Sequence, residues 1–126
     1  MCAAIAGFSG VALDAFAAHG LKARLAPALL PVFETAVRYQ IYHALALFAV
    51  AWGWARWRHR AIGAAGVLFI AGIVLFCGTI YLRALTGLGL SGLTPVGGMA
   101  FLAGWLGLVW GTFRAPRAPS SPDSCR

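Results

Sequence analysis

Long unbroken apolar runs alternate with short polar or glycine-rich connectors along the chain. A run of about 20 apolar residues is what a helix needs to cross roughly 30 Å of hydrocarbon. On that measure the pattern predicts four membrane-spanning helices, at about residues 2–18, 39–57, 61–82 and 95–113. Residues 19–38 read as a mixed connector in which Pro27 and Pro31 break helical continuation and Gly20 suits a helix C-cap. Residues 86–93 are too rich in glycine for a stable helix, and Thr94-Pro95 reads as a hydroxyl cap followed by a helix-starting proline. Beyond Arg114 the Pro, Ser and Arg residues show no periodicity, so 114–126 is expected to be a disordered cytoplasmic tail. The fold class is therefore an all-α, integral membrane four-helix bundle over residues 1–113, with no room for a separate soluble domain.

Composition agrees with this pattern. Of 126 residues, 61% are hydrophobic and only 10% charged, far from the quarter expected of a soluble domain. A net charge of +7 could suggest nucleic acid, but the basic residues flank apolar runs and form no stripe on a folded face. They read instead as topology signals and contacts to anionic lipid headgroups. Four spans place both termini and residues 58–60 on one side. That side holds Arg56, Arg58, Arg60, Arg114, Arg117 and Arg126, against Lys22, Arg24, Arg38 and Arg83 on the other. The positive-inside rule then puts both termini in the cytoplasm of a bacterial inner membrane. A rival reading of the first span as a cleaved signal peptide rests on Ala15-Phe16-Ala17, but the basic leader is absent and Asp14 interrupts the apolar run. Cys2, Cys77 and Cys125 show neither disulfide nor zinc spacing.

Two further patterns stand out within the spans. Small residues recur at helical spacing: Gly7 and Gly10 in the first, Gly66, Gly72 and Gly78 in the third, Gly107 and Gly111 in the fourth. They predict close helix approach, within the bundle or to a second copy or another membrane protein. Polar side chains, by contrast, collect at one end. At about 1.5 Å per residue His43 lies roughly 6 Å inside the second span, and Asp14 is about as deep in the first. Asp14, His19, Arg38, Tyr39, Gln40, Tyr42, His43, Thr79, Tyr81 and Arg83 thus share one polar cap, the candidate ligand site or packing cluster. Asp14 at that depth needs a partner, for which Arg38 or His43 are the candidates. His19 and His43 could face each other as haem ligands, a third-ranked reading. No hydrolase motif, metal set or other cofactor signature is present, so a catalytic site, a metal and a cofactor are not expected.

Arg38-Tyr39-Gln40-Ile41-Tyr42-His43-Ala44-Leu45-Ala46 resembles the RYQxYHALA signature of domain of unknown function 423, a family of small membrane proteins. Ala18-His19-Gly20-Leu21-Lys22, Phe76-Cys77-Gly78-Thr79-Ile80-Tyr81 and Thr94-Pro95-Val96-Gly97-Gly98 resemble three more of its motifs, in the right order. The family includes YgdD-like inner-membrane proteins and a eukaryotic branch, transmembrane protein 256. The resemblance implies four transmembrane helices and no cleavage after the first. Asp14 departs from it, standing where the family has glycine, and Cys77 and Thr79 replace two serines. It implies no activity. The expected function is a non-enzymatic structural, assembly or accessory component of the membrane, with a small-molecule or ion binding or transport module as the alternative.

Overall fold

The computed structural model describes residues 1–22, 25–90 and 92–115. Four helices fill it: α1 (Cys2–Leu21), α2 (Leu30–Trp57), α3 (Arg60–Thr86) and α4 (Leu93–Arg114). The tail expected beyond Arg114 falls, from residue 116 on, outside the described residues, as do Arg24 and Ser91. Three helices, α1, α3 and α4, are long and apolar enough to cross a membrane by length and composition. The fourth, α2, is long but carries Glu34, Arg38, Gln40 and His43 and is the polar member of the set.

Close contacts fix the register. Gly10 meets Gln40 and Ile41 while Gly7 meets Ala44, so α1 and α2 run antiparallel. Gly53 lies against Ile62 and Gly66 against Val50, which does the same for α2 and α3. Gly111 lies on Ile62, Gly104 on Phe69 and Gly97 on Phe76, extending the up-down order to α4. The broadest packing is between α3 and α4, and α2 packs on α3 as much as on α1; α2 touches α4 little, and α1 packs on α2 alone. The bundle is therefore an open row of four helices in chain order. Both ends of the described chain lie at one end of the bundle.

Small residues create the intimate contacts. A Cβ on Gly72 would collide with the Phe101 ring, and one on Gly97 with the backbone nitrogen of Phe76. Gly107 sits over the Ala61 carbonyl and Ala65. At Gly78 a Cβ would meet nothing, so this glycine is not at a helix contact. Ile62, Ala65, Phe69, Cys77 and Phe101 form the fully packed core between α2, α3 and α4.

Helix ends depart from the apolar runs. The second helix begins at Leu30 rather than near Tyr39, with Pro31 in its first turn. Proline there loses no hydrogen bond, since the first-turn N–H groups have no partner anyway, so Pro31 starts the helix instead of breaking it. The first helix continues past Gly20 to Leu21 through a wide turn, Ala17–Leu21. Thr94 does not cap α4: the helix starts at Leu93 and the Thr94 hydroxyl bonds across to Thr79. A second wide turn, Ile73–Cys77, interrupts α3, where the Gly78 N–H reaches the Ile73 carbonyl five residues back. In a regular helix residues four apart drift by about 40° per step. The wide turn absorbs that drift and keeps Ile73, Cys77 and Tyr81 against one core cluster.

Candidate functional site

The polar residues share an end of the bundle but divide into separate networks, because depth along an axis says nothing about rotation around it. The first network centres on Gln40, which is 4% exposed. Its Nε2 donates to the Ala6 carbonyl at 2.9 Å and to the Ser9 hydroxyl at 2.8 Å. Its Oε1 accepts from the Tyr81 hydroxyl at 2.9 Å. One amide thus ties α1, α2 and α3 together. The approach of α1 is close because Gly10 has no side chain facing Gln40 and Ile41. Tyr81 is steered by Phe33, whose ring centroid lies 4.9 Å away, beneath a small apolar cluster of Ala17, Leu21 and Val37.

A second network surrounds His43, 5% exposed, on the α4 side of α2. Nδ1 lies 2.7 Å from the Tyr39 carbonyl and Nε2 accepts from the Trp105 indole N–H at 3.3 Å. A carbonyl can only accept, so Nδ1 carries the proton and Nε2 the lone pair. The imidazole stacks on Phe101 at 3.5 Å between centroids, with Phe69 at 5.4 Å. Tyr39 stacks on Phe76 at 5.0 Å and stays partly open. A third link joins α3 to α4: the Thr79 and Thr94 hydroxyls are 2.9 Å apart, with Thr79 also bonded to the Leu75 carbonyl at 2.7 Å.

The remaining candidates lie outside these networks. Asp14, Arg38, Tyr42 and Arg83 are exposed, and so is His19, whose Nδ1 lies 3.0 Å from the Ala15 carbonyl of its own helix. Both ring nitrogens of His43 are engaged within the chain, leaving none directed at His19. No group of three or more His, Cys, Asp or Glu side chains converges among the described residues. Every buried side-chain nitrogen and oxygen among them has a hydrogen-bond partner.

Two hollows open along the seam between α2 and α4, which His43 bridges to Phe101 and Trp105 at its deeper end. One, about 600 Å³, lies near the α3–α4 loop beside Arg83, Thr79 and Thr94. The other, also about 600 Å³, runs deeper past Tyr39, His43, Leu102 and Trp105. Phe76 and Gly98 line both, so the hollows adjoin end to end over α3, along one groove that the Phe76 ring crosses. Ser9, Phe101 and Trp105 take part in these arrangements without having stood out in the sequence. Ser9 was discernible in principle as the one hydroxyl within a small-residue helix; Trp105 resembles four other tryptophans.

The model of the family described as protein of unknown function (DUF423) matches residues 13–98, the segment that contains these networks except Ala6 and Ser9 of α1 and the part of α4 beyond Gly98. The chain belongs to this family. It is 42% identical to the UPF0382 membrane protein YwdK of Bacillus subtilis over 84% of this chain and 88% of that protein. To the UPF0382 inner membrane protein YgdD of Escherichia coli it is 39% identical, over 91% of this chain and 88% of the relative. A Haemophilus influenzae UPF0382 membrane protein is 37% identical over 89% and 90%. No solved structure matches the chain. Family membership and three apolar spanning helices make this a membrane protein, and nothing in the family description points to catalysis.

Proposed function

We propose that this protein is a non-catalytic structural, assembly or accessory component of the bacterial inner membrane, with both termini in the cytoplasm. The observation that carries the reading is that each buried polar side chain, Gln40, His43 and Thr79, makes a bond to another helix and none is left without a partner among the described residues. Gln40 satisfies both its amide ends on α1 and α3, and His43 uses both nitrogens on α2 and α4. In lipid such groups have no water to fall back on, so a saturated network holds helices in register instead of presenting donors to a substrate. The localisation is supported by the name of the Escherichia coli relative and the excess of Arg at the end bearing the termini.

The test is native purification in a mild detergent followed by mass measurement. A stable complex with a second copy or a fixed partner is expected, and a monomer without any associated protein counts against the reading. The alternative, a binding or transport module, draws on the groove beside Tyr39 and His43. Under it, Tyr39→Phe and Tyr42→Phe would fail to complement a deletion while leaving the folded amount unchanged. Under the structural reading both variants complement fully.

A further inference from the structure

We propose that the seam between α2 and α4 is a binding groove for a single anionic phospholipid, its phosphate on Arg83 and one acyl chain laid over Phe76 toward Trp105. Three observations meet there. First, the groove exists because α2 and α4 part while α3 passes behind them, leaving an apolar floor at Phe76. Its depth depends on Gly98, whose missing Cβ would stand 3.9 Å from the Phe76 ring, a contact distance that a longer side chain would fill. Second, Arg83 is exposed on the last turns of α3 and lines the mouth, so its charge sits where a headgroup would. An arginine there matches a phosphate in geometry as well as sign. Third, the length fits. Thr79, one turn below Arg83, is level with Thr94 through their hydroxyl bond. From there to Trp105 along α4, the groove spans roughly 22 Å of helix rise in all. One leaflet with its headgroups is about 20–22 Å thick, half of a whole bilayer.

The hydrogen-bonded groups beside the groove do not compete for the chain. Thr79 and Thr94 bond to each other and His43 is stacked and doubly bonded, so the walls offer an incoming tail mainly apolar surface, with the Tyr39 and Tyr42 side chains at the rim of the deeper hollow. The inference does not rest on the scaffold reading above, since a lipid could occupy the groove of a monomer or of an assembly.

Native mass spectrometry of the full chain, with equimolar palmitoyl-oleoyl phosphatidylglycerol and phosphatidylcholine added, decides it. Wild type is expected to retain phosphatidylglycerol in about fivefold excess, the factor that one basic residue contributes at an anionic surface. Arg83→Gln should erase that excess while still binding either lipid, whereas Arg60→Gln, at the other end of the bundle, should keep it. Gly98→Leu should remove retained lipid of both kinds with the helical circular dichroism intact. Equal retention of the two lipids by wild type, an excess that survives Arg83→Gln, or undiminished lipid on Gly98→Leu would each overturn the proposal. So would a dimer that dissociates when lipid is added, because the groove would then belong to a second copy. Partner content is read from the same spectra without added lipid, so the two proposals fail separately.

Discussion

Gln40 makes three hydrogen bonds where hydrocarbon offers no replacement donors or acceptors. Interhelical bonds in membranes average about 0.6 kcal/mol and reach about 1.7. Gln40→Leu, which keeps the volume, is therefore expected to destabilise the bundle by about 1–3 kcal/mol, measured as a midpoint shift in detergent unfolding. Much of that loss comes from stranding the Tyr81 hydroxyl and not from the bonds themselves, since Ser9 keeps its bond to the Ile5 carbonyl. Adding Tyr81→Phe to Gln40→Leu should then recover part of the stability; a double variant less stable than Gln40→Leu would contradict the hub. His43 offers a spectroscopic check. Nitrogen-15 spectra should show a protonated Nδ1 and a bare Nε2 in wild type, and Trp105→Phe should shift only the Nε2 signal strongly. A doubly protonated ring at neutral pH is incompatible with the Trp105 bond.

At the scale of the helices, glycines of similar appearance in the sequence do different work. Gly97 lies so close to the Phe76 backbone that any Cβ forces α3 and α4 apart. Overpacking of this kind costs about 1–3 kcal/mol, and Gly97→Ala should lower the unfolding midpoint accordingly. Gly78 has open space at the same position, so Gly78→Ala should be neutral or stabilise by up to about 1 kcal/mol through helix propensity. Parallel thermal scans of the two variants would expose a wrong register at once. The contrast shows what spacing conveys. Apolar length located α1, α3 and α4, because lipid demands a nearly uniform apolar surface. The start of α2 was hidden: Pro31 is a helix breaker in an interior and a good residue in a first turn, and only the structure tells which. The polar end was legible from the positions of Tyr39, His43, Thr79 and Tyr81. Its division was not, because the wide turn at Ile73–Cys77 changes which face of α3 each residue occupies.

For the molecule as a whole, the antiparallel register places Met1, Trp57, Arg60 and Arg114 at one end and Leu21, Leu30, Thr86 and Leu93 at the other. Were all four helices to span, Met1 and Arg114 would lie on the same face of the bilayer. Arg56, Arg58 and Arg60 crowd the turn between α2 and α3, where Arg58 adopts a left-handed backbone to make the reversal. Arg114 stacks over Trp110 at the same end, holding a cation beside an interfacial ring. The opposing end has its own basic residues, Lys22, Arg38 and Arg83, so the bias is a difference between two positive sides. Orientation should accordingly be sensitive to a few charges. A green fluorescent protein fused after Arg126 is expected to fluoresce and an alkaline phosphatase fused there to be inactive, as both require for a cytoplasmic C-terminus. Replacing Arg56, Arg58 and Arg60 together with Gln removes the three cations of the shortest turn and should yield measurable phosphatase activity by admitting the inverted form. Retention of a single cytoplasmic orientation in that triple variant would mean that something other than loop charge sets the topology of this bundle.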